Sequence, residues 1–464
     1  MLLAQADIGL LSEDQFTNAA QGGLDLSLLY ANLGTILLAV GLVLGSVTIL
    51  FVVRFLLRRS YREKKGFKKR VLLVTVPKES AEKKGEQDRT ASLQEIQEDI
   101  AVAETLFATI GGLRANRSVG AWFTGREDDF SFEIVAQNGL ISFYVAVPEH
   151  LIDFITQQIQ TLYPHAQVED IDDYNIFVPQ GVIAGAYLVF KRHHMFPIKT
   201  FRKAESDPVS ALTNALAKVE KGSGAAVQFT LRSAKASWRR KGTKVALEMQ
   251  KGKSMHEAVA ATGFVGSIWK PKKKKGEEAP ERQTLSPGEQ ELQKGIQDKI
   301  TRAGLDLNVR LIVSAPDAVR ANQTLENIAN TFSQFNLYEY GNSFVKTVPP
   351  FRSRMIREFI FRTFDERRGI VVSADEMASL FHFPLPSTET PNIRWLMARK
   401  SAPPVNMPQE GLVLGQVEYR GEKSLVRLRR EDRRRHVYVI GKSGVGKSVL
   451  IENMALQDIA NGDG

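Results

Sequence analysis

The spacing of apolar positions along the chain changes several times, and each change marks an element. From Leu33 to Val53 an apolar run carries no charged residue. About 20 helical residues cross the roughly 30 Å hydrocarbon core of a bilayer, so this run predicts a transmembrane helix over 33–53. Val71 to Val76 then reads as a buried strand, and Leu93, Ile96, Ile100, Ala103, Phe107 and Ile110 recur at spacings of three and four, as one face of a helix does. Phe130, Phe132, Ile134 and Ala136 alternate up to Asn138-Gly139, a hairpin signal, and Ile141, Phe143, Val145 and Val147 return beyond it. Pro148 opens a helix with Leu151, Ile155, Ile159 and Leu162 inward, and a polar strand follows from Gln167 to Ile171.

This βαββαβ order predicts a ferredoxin-like module over 71–180. A second module is predicted over 181–350. Ala186 to Lys191 supplies its first strand, and Asp207 caps a helix with Pro208 in the first turn. Val227, Phe229 and Leu231 mark the next strand, and Leu305, Leu307, Val309, Leu311 and Val313 alternate through another. Ala321, Leu325, Ile328 and Phe332 trace the second helix, and Leu337 to Val345 reads as the last strand. An insertion at 235–303 separates the middle strands. Beyond it, 351–410 reads as a helix followed by a Pro-rich connector from Pro384 to Pro408, and 411–464 as the start of a further domain. In the helix around Arg352, Arg354, Arg357 and Arg362, the apolar face is Met355, Ile356, Phe359, Ile360 and Phe364, and the arginines are expected to meet water. The fold class is α+β.

Charge orients the first helix. The segment 1–32 carries Asp7, Glu13, Asp14 and Asp25, whereas 54–70 is dense in Lys and Arg, among them Arg54, Arg58, Arg59, Arg62, Lys64 and Lys65. A cleaved signal peptide needs the opposite arrangement. The positive-inside rule therefore puts 1–32 outside the cytoplasmic membrane and the main body in the cytoplasm, with the basic segment beside anionic headgroups. The net charge of +10 is compatible with nucleic acid or anionic lipid as a partner. With no cysteine, disulfides, thiolate chemistry and Cys-based metal sites are excluded. His193-His194 reads as a strand-end feature, because no further ligand sits at metal spacing. Lys270 to Glu278 lacks apolar residues and is expected to be a solvated loop. Trp238 beside Arg239, Arg240 and Lys241 reads first as a core anchor, with base stacking as the sharper alternative.

The chemistry-bearing motif is Gly441-Lys442-Ser443-Gly444-Val445-Gly446-Lys447-Ser448. It follows an apolar run, His436 to Ile440, that reads as a strand, and it precedes a helix from Lys447 to Ala460 closed by Gly462. Strand, glycine-rich loop and helix are the context of a phosphate-binding P-loop. Glycines let the backbone wrap phosphate oxygens and present N–H groups to them. Lys447 is placed for the β- and γ-phosphates of ATP, Ser448 for Mg²⁺, and the helix N-terminus faces the anion. Hydrolysis also needs an acidic Mg²⁺ ligand and a group that positions water, usually on later strands. With Gly464 close behind Ser448, the sequence reads as the first β-loop-α unit of a RecA-like α/β domain in a longer protein, so no catalytic residue is assigned to this chain and turnover belongs to the full-length protein.

Pro403-Pro404, Gly411 to Gly415 with a strand hairpin to Leu428, Asp432-Arg433-Arg434-Arg435-His436 and the P-loop together resemble the conjugative DNA-transfer ATPases of type IV secretion systems, within the ring-forming DNA translocases. Gln228 in its strand and the Ser237-Trp238 pair resemble a region these coupling proteins carry ahead of the motor. The resemblance implies a membrane-anchored, homo-hexameric ATPase that moves DNA, or a protein–DNA complex, toward secretion-channel components. Two other readings fit the same residues: a secretion-assembly ATPase acting on pilus or protein substrates, and a non-enzymatic membrane scaffold.

Overall fold

The computed structural model describes residues 33–66, 68–78, 92–113, 119–262, 286–338, 341–396, 403–404, 406–419, 422–441 and 444–462. The segment 1–32, the Lys270–Glu278 loop, Lys442 and Ser443 lie outside the described residues. The chain divides into two compact units.

The first unit, residues up to 65 with 117–126, holds α1 (Leu33–Gly66) to Lys65 and the short α3 (Val119–Thr124). Within α1, Leu37–Arg58 is long and apolar enough to cross a membrane, and none of it is buried inside protein. Its two hydroxyls stay within the helix: Ser46 donates to the Val43 carbonyl and Thr48 to that of Leu44. That satisfies polar groups that a hydrocarbon surrounding could not.

The second unit is built on one antiparallel sheet with the strand order β4-β1-β3-β2-β6-β7-β5-β8. Its first half comprises β1 (Lys69–Thr75), α2 (Leu93–Gly112), β2 (Phe130–Gln137), β3 (Leu140–Pro148), α4 (Ile152–Leu162) and β4 (Gln167–Ile171). The Asn138-Gly139 turn has positive φ at both residues (54° and 76°), the conformation a two-residue hairpin needs. The second half comprises β5 (Val182–Phe190), α5 (Pro208–Ala217), β6 (Gly224–Ser233), β7 (Gly304–Ala315), α9 (Ala318–Thr331) and β8 (Phe344–Thr347). Between β6 and β7 run α6 (Ser237–Gln250), α7 (Met255–Thr262) and α8 (Pro287–Thr301). In each half the fourth strand lies beside the first, then come the third and the second, and the halves meet second strand to second strand. That seam pairs β2 with β6 antiparallel, from Phe130↔Leu231 to Gln137↔Gly224.

One face of the sheet carries the main core. Phe130, Phe132, Ile134, Phe143, Val227, Phe229, Leu307 and Val309 pack there against Phe107 of α2, Leu212 of α5 and Leu325 of α9. Alternation along the strands fixes this face, as a period of two must. The opposite face carries Val71, Leu73, Val135, Tyr144, Tyr187 and Ile312 and is covered by Met355 and Phe359 of α10 (Arg352–Ile360).

The structure departs from the sequence expectations in two places and sharpens them in two others. Within the insertion, α6, α7 and α8 have a core of their own, built from Val245, Met249, Leu292 and Ile296 with Met195 and Phe196. Trp238 is buried and packs on Gly304, where a Cβ would lie 2.5 Å from the indole nitrogen, so its ring is an anchor and cannot stack on a base. The last strand starts at Phe344 rather than Leu337, because buried Asn342 binds the Arg192 N–H and the Arg192 and His193 carbonyls and holds the preceding segment as a turn. Finally, the Pro-rich region is no connector up to Leu396. β9 (Ile370–Ser373) pairs with β7, α11 (Ala374–Leu380) follows it, and Phe381, Phe383, Leu385 and Ile393 enter the main core. Pro77 and Leu396 close the body by bridging each other.

His382 in this last segment is buried with its Nε2 3.0 Å from Asp207 Oδ1. Burial lowers the imidazole pKa, but the carboxylate outweighs it and the net shift is upward from 6.5. Burial likewise raises the Asp207 pKa, and His382, Ser210 and the Val209 N–H outweigh it, holding the carboxyl below 3.8. The pair is therefore fully stabilising between those two values. It loses strength as pH rises through the raised His382 pKa, or falls through the lowered Asp207 pKa. Denaturant titrations of wild type and His382→Gln should differ most near pH 6 and converge as the pH rises through the raised His382 pKa. A difference that stays constant across that range contradicts the pairing.

Candidate functional site

The glycine-rich loop sits at the start of α13 (Lys447–Asn461). Gly444 and Gly446 have φ of 80° and 90°, in the left-handed region that favours glycine. At Gly441 a Cβ would lie 2.7 Å from the Val445 side chain. The Lys447 ammonium turns back across the loop and donates to the Gly441 carbonyl at 2.7 Å. The structure thus brings together Gly441, Val445 and Lys447 and places Ser448 exposed on the first helical turn. The helix is fixed to the hairpin of β10 (Leu412–Tyr419) and β11 (Glu422–Leu428): Gln457 exchanges two 2.9 Å hydrogen bonds with the Val413 backbone. Below the hairpin, Arg433 in the short α12 (Arg430–Arg433) holds Asp458 with two bonds of 2.6 and 2.7 Å.

One expectation fails here. His436 to Ile440 is not a strand: among the described residues none pairs with it, and Tyr438 and Ile440 are 87% and 81% exposed. A strand exists through its ladder, and an apolar run without a neighbouring strand has none to join. Val449, Ile451, Leu456 and Ile459 of α13 are exposed as well.

A second constellation lies across the β2–β6 seam and was not foreseen as a unit. Register places Glu133 beside Gln228 and Gln228 beside Arg310, three polar residues in one row over β2, β6 and β7, all 0% exposed. Arg362, just past α10, descends onto this row. Its guanidinium binds Glu133 with bonds of 2.9 and 3.2 Å and Asp173 with bonds of 2.7 and 2.6 Å. Glu133 also accepts from Tyr174 (2.8 Å), Ser131 (2.6 Å) and Gln228 (2.8 Å). Arg310 donates to Gln228 (2.8 Å), Thr230 (3.0 Å) and the Thr363 carbonyl. Lys69 ties the edge of the network to Asp129 (2.7 Å) and to the Arg362 carbonyl (2.6 Å). Burial works against the Arg362 charge, and Glu133 and Asp173 outweigh it, leaving the guanidinium more basic than usual. Tyr174 is pushed well above its ordinary range by burial and by Glu133. With five donors on Glu133 and none of its surface exposed, this carboxylate is a joint and not a reactive group. The expectation that Arg362 meets water is therefore corrected.

Beside β5 and α10 lies a cleft of about 640 Å³ lined by Arg192, His193, Phe351, Arg354, Arg367 and Arg368, among others. Arg354 and Arg368 share the buried Asp365 carboxylate, and the Arg368 guanidinium lies 4.4 Å from the centre of the Tyr187 ring. The His193 and His194 ring centres lie 4.0 Å apart, with the rings tilted by 38°. Burial, each other's proximity and Lys299 and Lys241 hold His194 down to about 3, so the pair is uncharged at neutral pH. Among the described residues no group of three or more His, Asp or Glu is placed to hold a metal ion.

A family model described as "Domain of unknown function (DUF8128)" matches residues 77–396. The chain belongs to that family. The DUF8128 span begins and ends on the two residues that bridge each other, Pro77 and Leu396, and leaves β1, which the sheet holds between β3 and β4, just outside it. The apolar helix and the glycine-rich loop both fall outside it. No curated protein matches the chain. Within the DUF8128 body, sequence reasoning missed β9, α11 and the Glu133 row. The first two had a signal, the capping box Ser373-Ala374-Asp375-Glu376 behind Ile370, Val371 and Val372.

Removing one partner of a buried, hydrogen-bonded ion pair costs about 3–5 kcal/mol. Glu133→Gln should therefore lower stability by about that amount, read as a shift in the denaturation midpoint, and Glu133→Gln with Arg362→Met should recover part of it. Equal losses in the single and double variants would show that the pair is not the joint.

Proposed function

We propose that this chain is a membrane-anchored P-loop protein whose motor moves DNA, or a protein–DNA complex, in the manner of the conjugative type IV secretion ATPases it resembles. The observation that carries the reading is the loop itself: Lys447 folded over a turn whose glycines adopt left-handed backbone, at the first turn of a 15-residue helix. In this reading Gly441 to Lys447 cradle the phosphates of ATP, Lys447 leaves the Gly441 carbonyl for the β- and γ-phosphates, and Ser448 takes Mg²⁺. A Cβ at Gly441 would fill the space beside Val445, which fits a loop that must close tightly on phosphate.

The finer architecture follows the same reading. Each half of the sheet, with its βαββαβ order and central first and third strands, is a ferredoxin-like module, and the hairpin, loop and α13 open a RecA-like domain. The arginine-lined cleft and the net charge of +10 favour DNA as the polyanionic cargo. Leu37–Arg58 is the single-pass anchor in the cytoplasmic membrane, with 1–32 outside and the body in the cytoplasm. Ring-forming relatives imply a homo-hexamer docked on secretion-channel components.

In the full-length protein, DNA should stimulate ATP turnover, and binding of DNA should weaken steeply with salt. Turnover that ignores DNA, together with no salt-dependent DNA binding, would sink the DNA reading in favour of a secretion-assembly ATPase acting on pilus or protein. Lys447→Ala should lower nucleotide affinity at least about tenfold, the loss of one charge-assisted phosphate contact; unchanged affinity contradicts the P-loop assignment. A cysteine placed at position 5 should be labelled by an impermeant reagent on intact cells, and labelling only after lysis would reverse the orientation.

A further inference from the structure

The motor reading leaves α3 without a role. This helix, Val119–Thr124 in the connection between α2 and β2, is uncharged, and it carries Trp122 and Phe123 side by side with ring centres 4.7 Å apart. It is held to α1 at the level of Arg54 and Arg58. The Arg54 guanidinium lies 4.1 Å from the centre of the Trp122 ring, and Arg54 Nε and Arg58 Nη2 donate to the Trp122 carbonyl at 3.1 and 3.2 Å. Trp122 nevertheless keeps 40% of its surface exposed.

That level is where the first arginines of α1 stand, Arg54 within and Arg58 at the end of the apolar window Leu37–Arg58. At 1.5 Å per residue the stretch from Leu37 to Arg54 is about 26 Å long, close to the roughly 30 Å hydrocarbon core. Arg54 therefore marks the boundary between acyl chains and headgroups, and Trp122 is clamped to it. Tryptophan favours this boundary, since its ring is apolar and its N–H needs a polar partner. The two arginines satisfy the carbonyl that a short helix would otherwise leave open at that depth.

We propose that α3 is a second membrane contact, with Trp122 and Phe123 seated in the headgroup–acyl boundary of the leaflet at the Arg54 end of α1. The proposal rests on the reading of Leu37–Arg58 as a membrane anchor and is independent of its orientation. Through Arg54 and Arg58, α3 fixes the depth of α1 and resists its sliding along the bilayer normal.

The chain has no cysteine, so one introduced cysteine is a unique site for an environment-sensitive fluorophore. Three single variants of the full chain, Phe123→Cys, Ser46→Cys within α1 and Leu247→Cys on the exposed side of α6, are reconstituted in phosphatidylcholine–phosphatidylglycerol vesicles. These contain nitroxide lipids labelled at the headgroup or at mid-chain. Position 46 should be quenched most by mid-chain nitroxides, and position 123 at least about twofold more by headgroup nitroxides than position 247 is. Adding Trp122→Ala to Phe123→Cys should bring its quenching down to the level of 247. Quenching at 46 with none at 123 above the level of 247 overturns the proposal, placing α3 in water or against protein, and leaves the anchor standing. No quenching at 46 overturns the anchor reading and this proposal with it.

Discussion

The salt bridge between Glu133 and Arg362 is the constraint on which the second unit depends. Glu133 lies in a strand that ends one half of the sheet, and Arg362 arrives from a segment beyond the other half. A sheet of two halves joined only by the β2–β6 ladder could slip in register by two residues without changing which side chains face the core. The polar row forbids that slip. A slip of two places would break the Gln228–Glu133 bond, and the segment 359–363 could then keep either its Arg362 bonds to Glu133 and Asp173 or its carbonyl contacts to Gln228 and Arg310 but not both, leaving buried charge unpaired at a desolvation cost of several kcal/mol.

Other features follow from that joint. Arg362 takes a left-handed backbone, φ 50°, to aim its guanidinium, and its carbonyl in turn accepts from Lys69 at the start of β1. Phe359 packs on the same face, and its carbonyl accepts from Gln228. The cover on this face is therefore set by hydrogen bonds, whereas the helices on the opposite face are set by apolar packing. The second arrangement tolerates volume-conserving change; the first does not.

This division explains what was legible in the sequence. Apolar periodicity located α2, the Asn138-Gly139 hairpin, β7 and α9, because each presents a clean face to the main core. The Glu133 row was not legible: alternation in Phe130 to Ala136 puts Ser131 and Glu133 on the face that a one-sided pattern gives to water, and the partners that serve Glu133 there, Tyr174, Gln228 and Arg362, are all distant in sequence. The Pro-rich stretch misled for a related reason. Proline and threonine density suggests an extended connector, yet a non-repetitive segment can lie in a core when its polar groups are served. Here Thr388 accepts from the Leu385 N–H, and Thr390 bonds both Thr213 and Asn214. In the glycine-rich loop, Gly444 and Gly446 take left-handed backbone. The strand before it did not form, since a strand is a property of its neighbours and not of its own residues.

The two chemistries of this chain are thus kept apart by their relation to water. The DUF8128 body withdraws its charges, pairing Lys299 with Glu376 at 2.8 Å, His382 with Asp207 and Arg362 with Glu133, all at or near full burial. Groups so paired are fixed in number and geometry and gain nothing from a ligand. Lys447 is the contrary case. Its ammonium donates to the Gly441 carbonyl on a loop whose other described positions are exposed, and a polyphosphate would offer it several oxygens in place of that one carbonyl. That contrast is the physical ground for the proposal that the loop binds nucleotide.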